Sequence, residues 1–212
     1  MTLWKWMDVP MPSQAKATGA SDKPKSILIW GGGAVTGQFA VQLAAKAGLR
    51  VIVVGSHRTA SLLHRLGAAQ VVSRDGKSDE ELVAEVRDAC KGEITLAIDL
   101  VGPKTVPLCL QSMSNSEQGV LAPLAMIASG QEVPANVTVA NVEMKRFVLD
   151  ESSRVYSQEL TRLLANSELI LPEMEVLTGG LGRIEEGLER LKAGDANGKK
   201  LVVSLQPSQV GA

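Results

Sequence analysis

Between Ser26 and Leu100 short runs of β-branched and aliphatic residues alternate with amphipathic stretches, and this rhythm restricts the possible folds more than any other feature of the chain. Ser26-Ile27-Leu28-Ile29-Trp30 is an apolar run ended by Gly31-Gly32-Gly33. From Thr36 to Leu49, Phe39, Ala40, Leu43 and Ala47 recur at helical spacing. The order is strand, glycine turn, helix. Gly48 stops the helix, Leu49 to Val54 is a second strand closed by Gly55-Ser56, and Ala60 to Leu66 is again amphipathic. Gln70-Val71-Val72 (strand), Ser78 to Cys90 (a helix with Asp79, Glu80 and Glu81 at its positive end) and Thr95 to Leu100 (strand) repeat the unit. Such alternation predicts an α/β fold, a doubly wound parallel sheet in a single domain with helices on both faces.

Farther on, Pro103 to Met113 reads as a crossover and Gly119 to Met126 as a strand. Asn136 to Leu149 alternates enough to be a further strand rather than a helix. The sheet then has about six strands. Val155 to Asn166 and Gly182 to Lys192 read as helices, the second with Ile184, Leu188 and Leu191 on one face, and Lys200 to Leu205 as a final strand. Residues 1–24, with Trp4, Trp6 and Met7 followed by Pro10, Pro12 and a Ser/Ala/Lys/Gly stretch, are expected to be an arm or helix remnant plus linker. Residues 25–205 form the α/β domain and 206–212 a C-terminal tail. Met113, Met126 and Met144 read as core filler.

Charge and cysteine content exclude several function classes. The 22 basic and 23 acidic residues leave a net charge of -1, so there is no electrostatic footprint for nucleic acid or an anionic membrane. The two cysteines, Cys90 and Cys109, lie in neither a CxxC nor a His-rich setting, which argues against a disulfide framework or a metal site. The opening residues lack the pattern of a secretory signal and no apolar run approaches a membrane span. A cytoplasmic protein is expected.

The chemistry lies in Gly31-Gly32-Gly33-Ala34-Val35-Thr36-Gly37. Glycine permits a tight turn, lets the backbone approach a pyrophosphate, and leaves N–H groups at the positive end of the next helix. This makes the fold Rossmann-type and residues 25–205 a dinucleotide-binding domain. The spacing misses the simple G-x-G-x-x-G fingerprint by one residue, which would want glycine at Thr36 rather than Gly37. A ligand-free strand-to-helix turn is the competing reading. An NAD site usually carries Asp or Glu at the end of the second strand, but here Gly55-Ser56-His57-Arg58 offers no carboxylate. A hydroxyl and a guanidinium suit a 2′-phosphate, so NADP(H) is the expected cofactor, with Ser56, His57 and Arg58 at the phosphate and Arg74 as a second charge.

Ligands sit beyond the carboxyl ends of parallel strands, so Leu100, Val101 and Leu124 are expected to line the nicotinamide end. Asp99 either contacts the ligand or accepts from nearby backbone N–H groups. His64 reads as an ordinary helix residue, and Tyr156 as a packing residue rather than a proton donor. No catalytic residue is assigned.

Ile27 to Lys46, ILIWGGGAVTGQFAVQLAAK, resembles the glycine loop and first helix of medium-chain dehydrogenase/reductases, in the branch of quinone reductases and fungal trans-acting enoyl reductases. The longer glycine spacing is normal in that branch. Arg65-Leu66-Gly67-Ala68, Ala97-Ile98-Asp99, Gly182 to Gly194 and Gly198 to Val202 continue the likeness, which extends from about residue 25 to 205. Thr36 departs from the branch's usual Val, and Ser73-Arg74 stands where a Tyr is common, exchanging stacking for charge. Full-length relatives begin with a GroES-like domain that walls the substrate cleft, and residues 1–26 do not supply it. The likeness implies an NADPH-dependent oxidoreductase reducing an α,β-unsaturated carbonyl in a polyketide or other secondary-metabolite pathway. The missing wall would come from a homo-oligomer or partner subunit around a small hydrophobic substrate. The competing readings are a redox-silent descendant acting as cyclase or isomerase, and a non-enzymatic NADP(H)-binding or partner protein.

Overall fold

The computed structural model describes residues 1–18, 24–90 and 93–205. The chain divides into two compact units, Met1–Ile170 and Leu171–Ala212. The tail expected at 206–212 lies outside the described residues.

In the first unit β1 (Ser26–Trp30), β2 (Arg50–Gly55), β3 (Gln70–Ser73), β4 (Ile94–Asp99), β5 (Gly119–Pro123) and β6 (Val137–Val139) form one sheet in the order β3-β2-β1-β4-β5-β6. Each neighbouring pair is parallel. The direction of winding reverses between β1 and β4, the topological switch point beside which ligands of doubly wound sheets bind. Successive residues of a strand face opposite sides, and β1 is apolar on both. Ile27 and Ile29 enter one core with Val51, Val53, Leu96 and Ile98, while Leu28 and Trp30 enter the other with Ile52, Val54 and Ala97.

Helix α3 (Val35–Lys46) covers the first face through Val41, Leu43 and Ala44. On the second lie α5 (Asp79–Cys90) and α6 (Val106–Ser112). Ser78 and Glu81 form a reciprocal capping box at the start of α5: the Glu81 N–H donates to Ser78 Oγ at 3.2 Å and the Ser78 N–H to Glu81 Oε2 at 2.8 Å. Between β2 and β3 runs the short α4 (Ala60–Arg65).

The N-terminal segment is not a loose arm. It forms α1 (Thr2–Trp6) and α2 (Pro12–Thr18), and Leu3, Trp4, Met7, Val9 and Met11 all enter the first core. Fully burying an apolar side chain stabilises by about 1.5–3 kcal/mol, enough for five such residues to hold the segment down. Polar contacts set its position. Lys5 pairs with Asp150 and donates to Ser153 Oγ at 2.6 Å, and the Ser13 N–H donates to Glu159 Oε1 at 3.1 Å. Glu159, buried on α8 (Arg154–Ala165), is held in turn by the Arg162 guanidinium at 2.8 and 3.0 Å. Beyond α8, Gln42 of α3 pins Ile170 by two bonds, Nε2 to the carbonyl at 2.9 Å and the Ile170 N–H to Oε1 at 2.7 Å.

The stretch expected as one strand over Asn136–Leu149 divides. Its first part pairs as β6, whereas Met144–Leu149 is helix α7. Glu143 and Arg146 make an i,i+3 ion pair at 2.8 Å there, and the turn buries Phe147. Of the three methionines read as core, Met113 is buried, but Met126 and Met144 are 71% and 55% exposed.

The second unit is a small βαβ element. β7 (Met174–Leu177), unanticipated in the sequence reading, pairs in parallel with the final strand β8 (Lys200–Val203) in a separate two-stranded sheet. α9 (Ile184–Lys192) joins them, and Arg190 holds Glu175 of β7 through bonds of 2.6 and 3.1 Å. The apolar stripe read from the sequence exists but is not covered: Ile184, Leu188 and Leu191 are 43%, 61% and 52% exposed.

Candidate functional site

The glycine loop links β1 to α3 at the switch point. Gly31 has φ +90°, a conformation that a side chain strongly disfavours, and its N–H donates to the Val54 carbonyl at 2.9 Å. A Cβ on Gly37 would lie 2.6 Å from the Gly31 oxygen, the Gly32 Cα and the Gly32 oxygen. Backbone therefore packs directly on backbone, which is the function of the third glycine of a dinucleotide loop, performed here one residue later than the simple spacing. Ala34, at the cap position of α3, contributes no side-chain acceptor. The first N–H groups of the helix, from Val35, Thr36 and Gly37, consequently present its positive end.

Thr59, which the sequence reading did not single out, supports this loop. Its side chain would be 3.0 Å from a Cβ on Gly33, and its hydroxyl donates to the Ser56 carbonyl at 3.0 Å. It couples the glycine loop to the turn after β2.

The turns that carry Ser56, His57, Arg58 and Arg74 lie side by side, since β2 and β3 are parallel neighbours and their following loops emerge at one edge. The Arg58 N–H donates to Ser56 Oγ at 3.3 Å and the Arg74 N–H to the Gly55 carbonyl at 2.9 Å. The stretch Gly55 to Arg58 carries no carboxylate of its own, but the turn after the neighbouring strand brings one to it. Asp75, from the turn after β3, accepts from Ser56 Oγ at 2.9 Å and from the His57 N–H at 2.7 Å, and pairs with His57 Nδ1. These bonds, the His57 main-chain N–H foremost, hold its carboxyl well below the usual carboxylate range.

At the other end of the loop, Val101 lies over Gly31, with its Cγ2 2.8 Å from where a Cβ would stand. Leu100 and Leu124 flank it: the Leu100 N–H donates to the Trp30 carbonyl at 3.0 Å and the Leu124 N–H to the Asp99 carbonyl at 2.8 Å. Asp99 resolves to the structural alternative. It is fully buried, and its Oδ1 accepts from the N–H groups of Val101 at 3.0 Å and Gly102 at 2.8 Å. It braces the backbone of the turn that follows β4. Cys109 Sγ donates to its Oδ2 at 3.6 Å, and burial, reinforced by the Asp99 charge, pushes the thiol well above its ordinary range. A nucleophilic role for Cys109 does not follow.

The remaining residues behave as packing groups. His64 Nδ1 meets the Ala68 carbonyl at 3.1 Å. Tyr156 lies against Trp4 and Phe147, with ring centroids 6.1 and 6.3 Å away.

Residues 35–167, more than half of the chain, match the zinc-binding dehydrogenase family. The chain belongs to that family. Its membership in the zinc-binding dehydrogenases, and so in the medium-chain dehydrogenase/reductase superfamily, agrees with the curated relatives. The trans-enoyl reductase himH of Aspergillus japonicus is 29% identical over 213 residues, covering 98% of this chain and 59% of that protein. Among solved structures, a quinone oxidoreductase from Pseudomonas syringae superposes with a TM-score of 0.70 at 18% identity, covering 91% of this chain and 60% of that one. The Escherichia coli quinone oxidoreductase, solved with NADPH, gives 0.68 at 18% identity over 85% of this chain and 58% of that one. At such identities the structural likeness speaks to the fold. The chain spans a little over half the length of these proteins. The match to himH takes in most of the N-terminal segment, in keeping with the packing of Leu3, Trp4, Met7, Val9 and Met11 into the core. Among the described residues no group of three or more His, Cys, Asp or Glu side chains is placed to hold a metal ion.

Proposed function

We propose that this chain is the coenzyme-binding part of an NADPH-dependent reductase that acts on an α,β-unsaturated carbonyl, an enoyl group of a secondary-metabolite intermediate being the leading substrate class. The observation that carries the proposal is the glycine loop: backbone packed on backbone at Gly37, an uncapped positive helix end, and the apolar wall of Leu100, Val101 and Leu124 beside it. Residues 31–37 would hold the pyrophosphate through N–H groups. Ser56, His57, Arg58 and Arg74 would meet the adenosine end, where guanidinium groups favour a phosphate. A nicotinamide, when bound, supplies the hydride for reduction of the conjugated double bond. The side chains of Leu100, Val101 and Leu124 have no ionisable proton, so the proton for the α-carbon would come from solvent or from another group.

Three further points support the reading. Curated relatives are named trans-enoyl reductases, and a structural neighbour was solved with NADPH. A hydrophobic substrate, enclosed in a homo-oligomer or together with a partner subunit, belongs to the same proposal. Among the described residues no helix is long and apolar enough to cross a membrane.

Titration of the purified chain with NADPH and NADH, followed by nucleotide fluorescence, tests the cofactor assignment. Saturable NADPH binding weakened about tenfold or more by Arg58→Ala is expected, since a charge-assisted bond is lost. No binding of either nucleotide overturns it. NADPH consumption with an enoyl thioester then tests the reaction.

A further inference from the structure

The carboxylate that the end of β2 lacks is delivered by the neighbouring strand. Oδ2 of Asp75 accepts from Ser56 Oγ at 2.9 Å, the His57 N–H at 2.7 Å and Ser73 Oγ at 3.3 Å, and is also bonded to His57 Nδ1. Two hydroxyls, a main-chain N–H and an imidazole converging on one anionic oxygen form a donor set that suits a phosphate oxygen equally well.

We propose that Asp75 is a coenzyme-selectivity residue: its carboxylate occupies the anion-binding donors of the adenosine end, so a 2′-phosphate enters by displacing it, whereas a free ribose hydroxyl donates to it in place. The proposal rests on the reading of the glycine loop as a nicotinamide-dinucleotide site. Asp75 is ionised at neutral pH, because its bonds to His57 and Ser56 favour the charged form. Two anions sharing one donor set repel, and one of them is left without partners. Displacement is local, since Asp75 and Gly76 form an exposed turn and Gly76 has φ +73°. Arg58 and Arg74 attract a phosphate and Asp75 opposes it, so a single side chain sets the balance between the two coenzymes.

The test uses 2′,5′-ADP and 5′-AMP as minimal probes of the adenosine end and NADPH and NADH as whole coenzymes. Each is titrated into the full chain as wild type, Asp75→Asn and Asp75→Ala. Asp75 is exposed, so both variants are expected to fold, and melting curves verify it. Both should bind 2′,5′-ADP and NADPH roughly tenfold more tightly, with 5′-AMP and NADH unchanged or weaker, and the gain should shrink as salt rises. An NADPH-to-NADH affinity ratio unchanged in both variants overturns the selectivity role while leaving the cofactor assignment intact. A loss of 2′,5′-ADP affinity overturns it too, because Asp75 would then be propping Ser56 and His57 for the phosphate. If none of the four nucleotides binds the wild type or either variant, this proposal and the cofactor assignment fall together.

Discussion

At Gly37 a hydrogen is the largest side chain that fits, because three backbone atoms stand 2.6 Å from any Cβ placed there. Gly37→Ala must push α3 off the loop. The cost of such overpacking is about 1–3 kcal/mol, and in a chain of this length each kcal/mol lowers Tm by about 2–4 °C. Melting followed by circular dichroism should show that drop together with lost nucleotide binding; an unchanged Tm would mean the helix shifts freely. This glycine was legible in the sequence, since its chemistry depends on its own neighbours. Asp75 was not. Its role arises because β3 lies beside β2, so that a turn remote in sequence delivers a carboxylate to Ser56 and His57, and only the S-R-D-G turn after the strand hinted at a fixed position. Asp99 shows the same limit from the other side: its place at a strand end was readable, but its two backbone partners decide that it braces the turn after β4.

Among the elements, α1 and α2 depend on two carboxyl groups outside their own segment. The hydrogen bond from Lys5 holds the Asp150 carboxyl down to about 2, and the Arg162 guanidinium holds Glu159 below its ordinary range. A carboxyl depressed by folding stabilises above its unfolded pKa, near about 4, and that contribution is lost as the pH falls through the lower folded value. Acidification from about pH 4 towards about 2 should therefore loosen the N-terminal helices first. Pepsin digestion across that range, read by mass spectrometry, is expected to cut within residues 1–18 before the sheet strands; simultaneous cutting would count against this order. Sequence periodicity located nearly every central strand and helix, because those elements bury whole faces. It misread Asn136–Leu149, where a three-residue strand and a six-residue helix are too short for either period to dominate. It missed β7 for the same reason, and it saw the buried residues near the N-terminus without their destination, which belongs to tertiary packing.

For the molecule as a whole, the two units differ in what they bury. The sheet of the first is apolar on both faces, whereas the second has two strands, one helix, and an apolar stripe left in solvent. Two-stranded sheets and units of about 40 residues are marginal by themselves. Hydrogen exchange should accordingly be slow in β1, β2 and β4 and faster by orders of magnitude in β7, β8 and α9. Equal protection would show that the second unit draws stability from something else, such as association through Ile184, Leu188 and Leu191. The central position of β1 has a consequence for how the protein is made. One of its edges is met by β2, a single helix later, but the other must wait for β4, which follows two further βα repeats. During synthesis the most apolar strand of the sheet thus spends several seconds with an open side, a delay of roughly 65 residues at about 5–20 residues per second. Ribosome-bound chains arrested before β4 should be the ones that chaperones capture, and those extended past β5 the ones that escape.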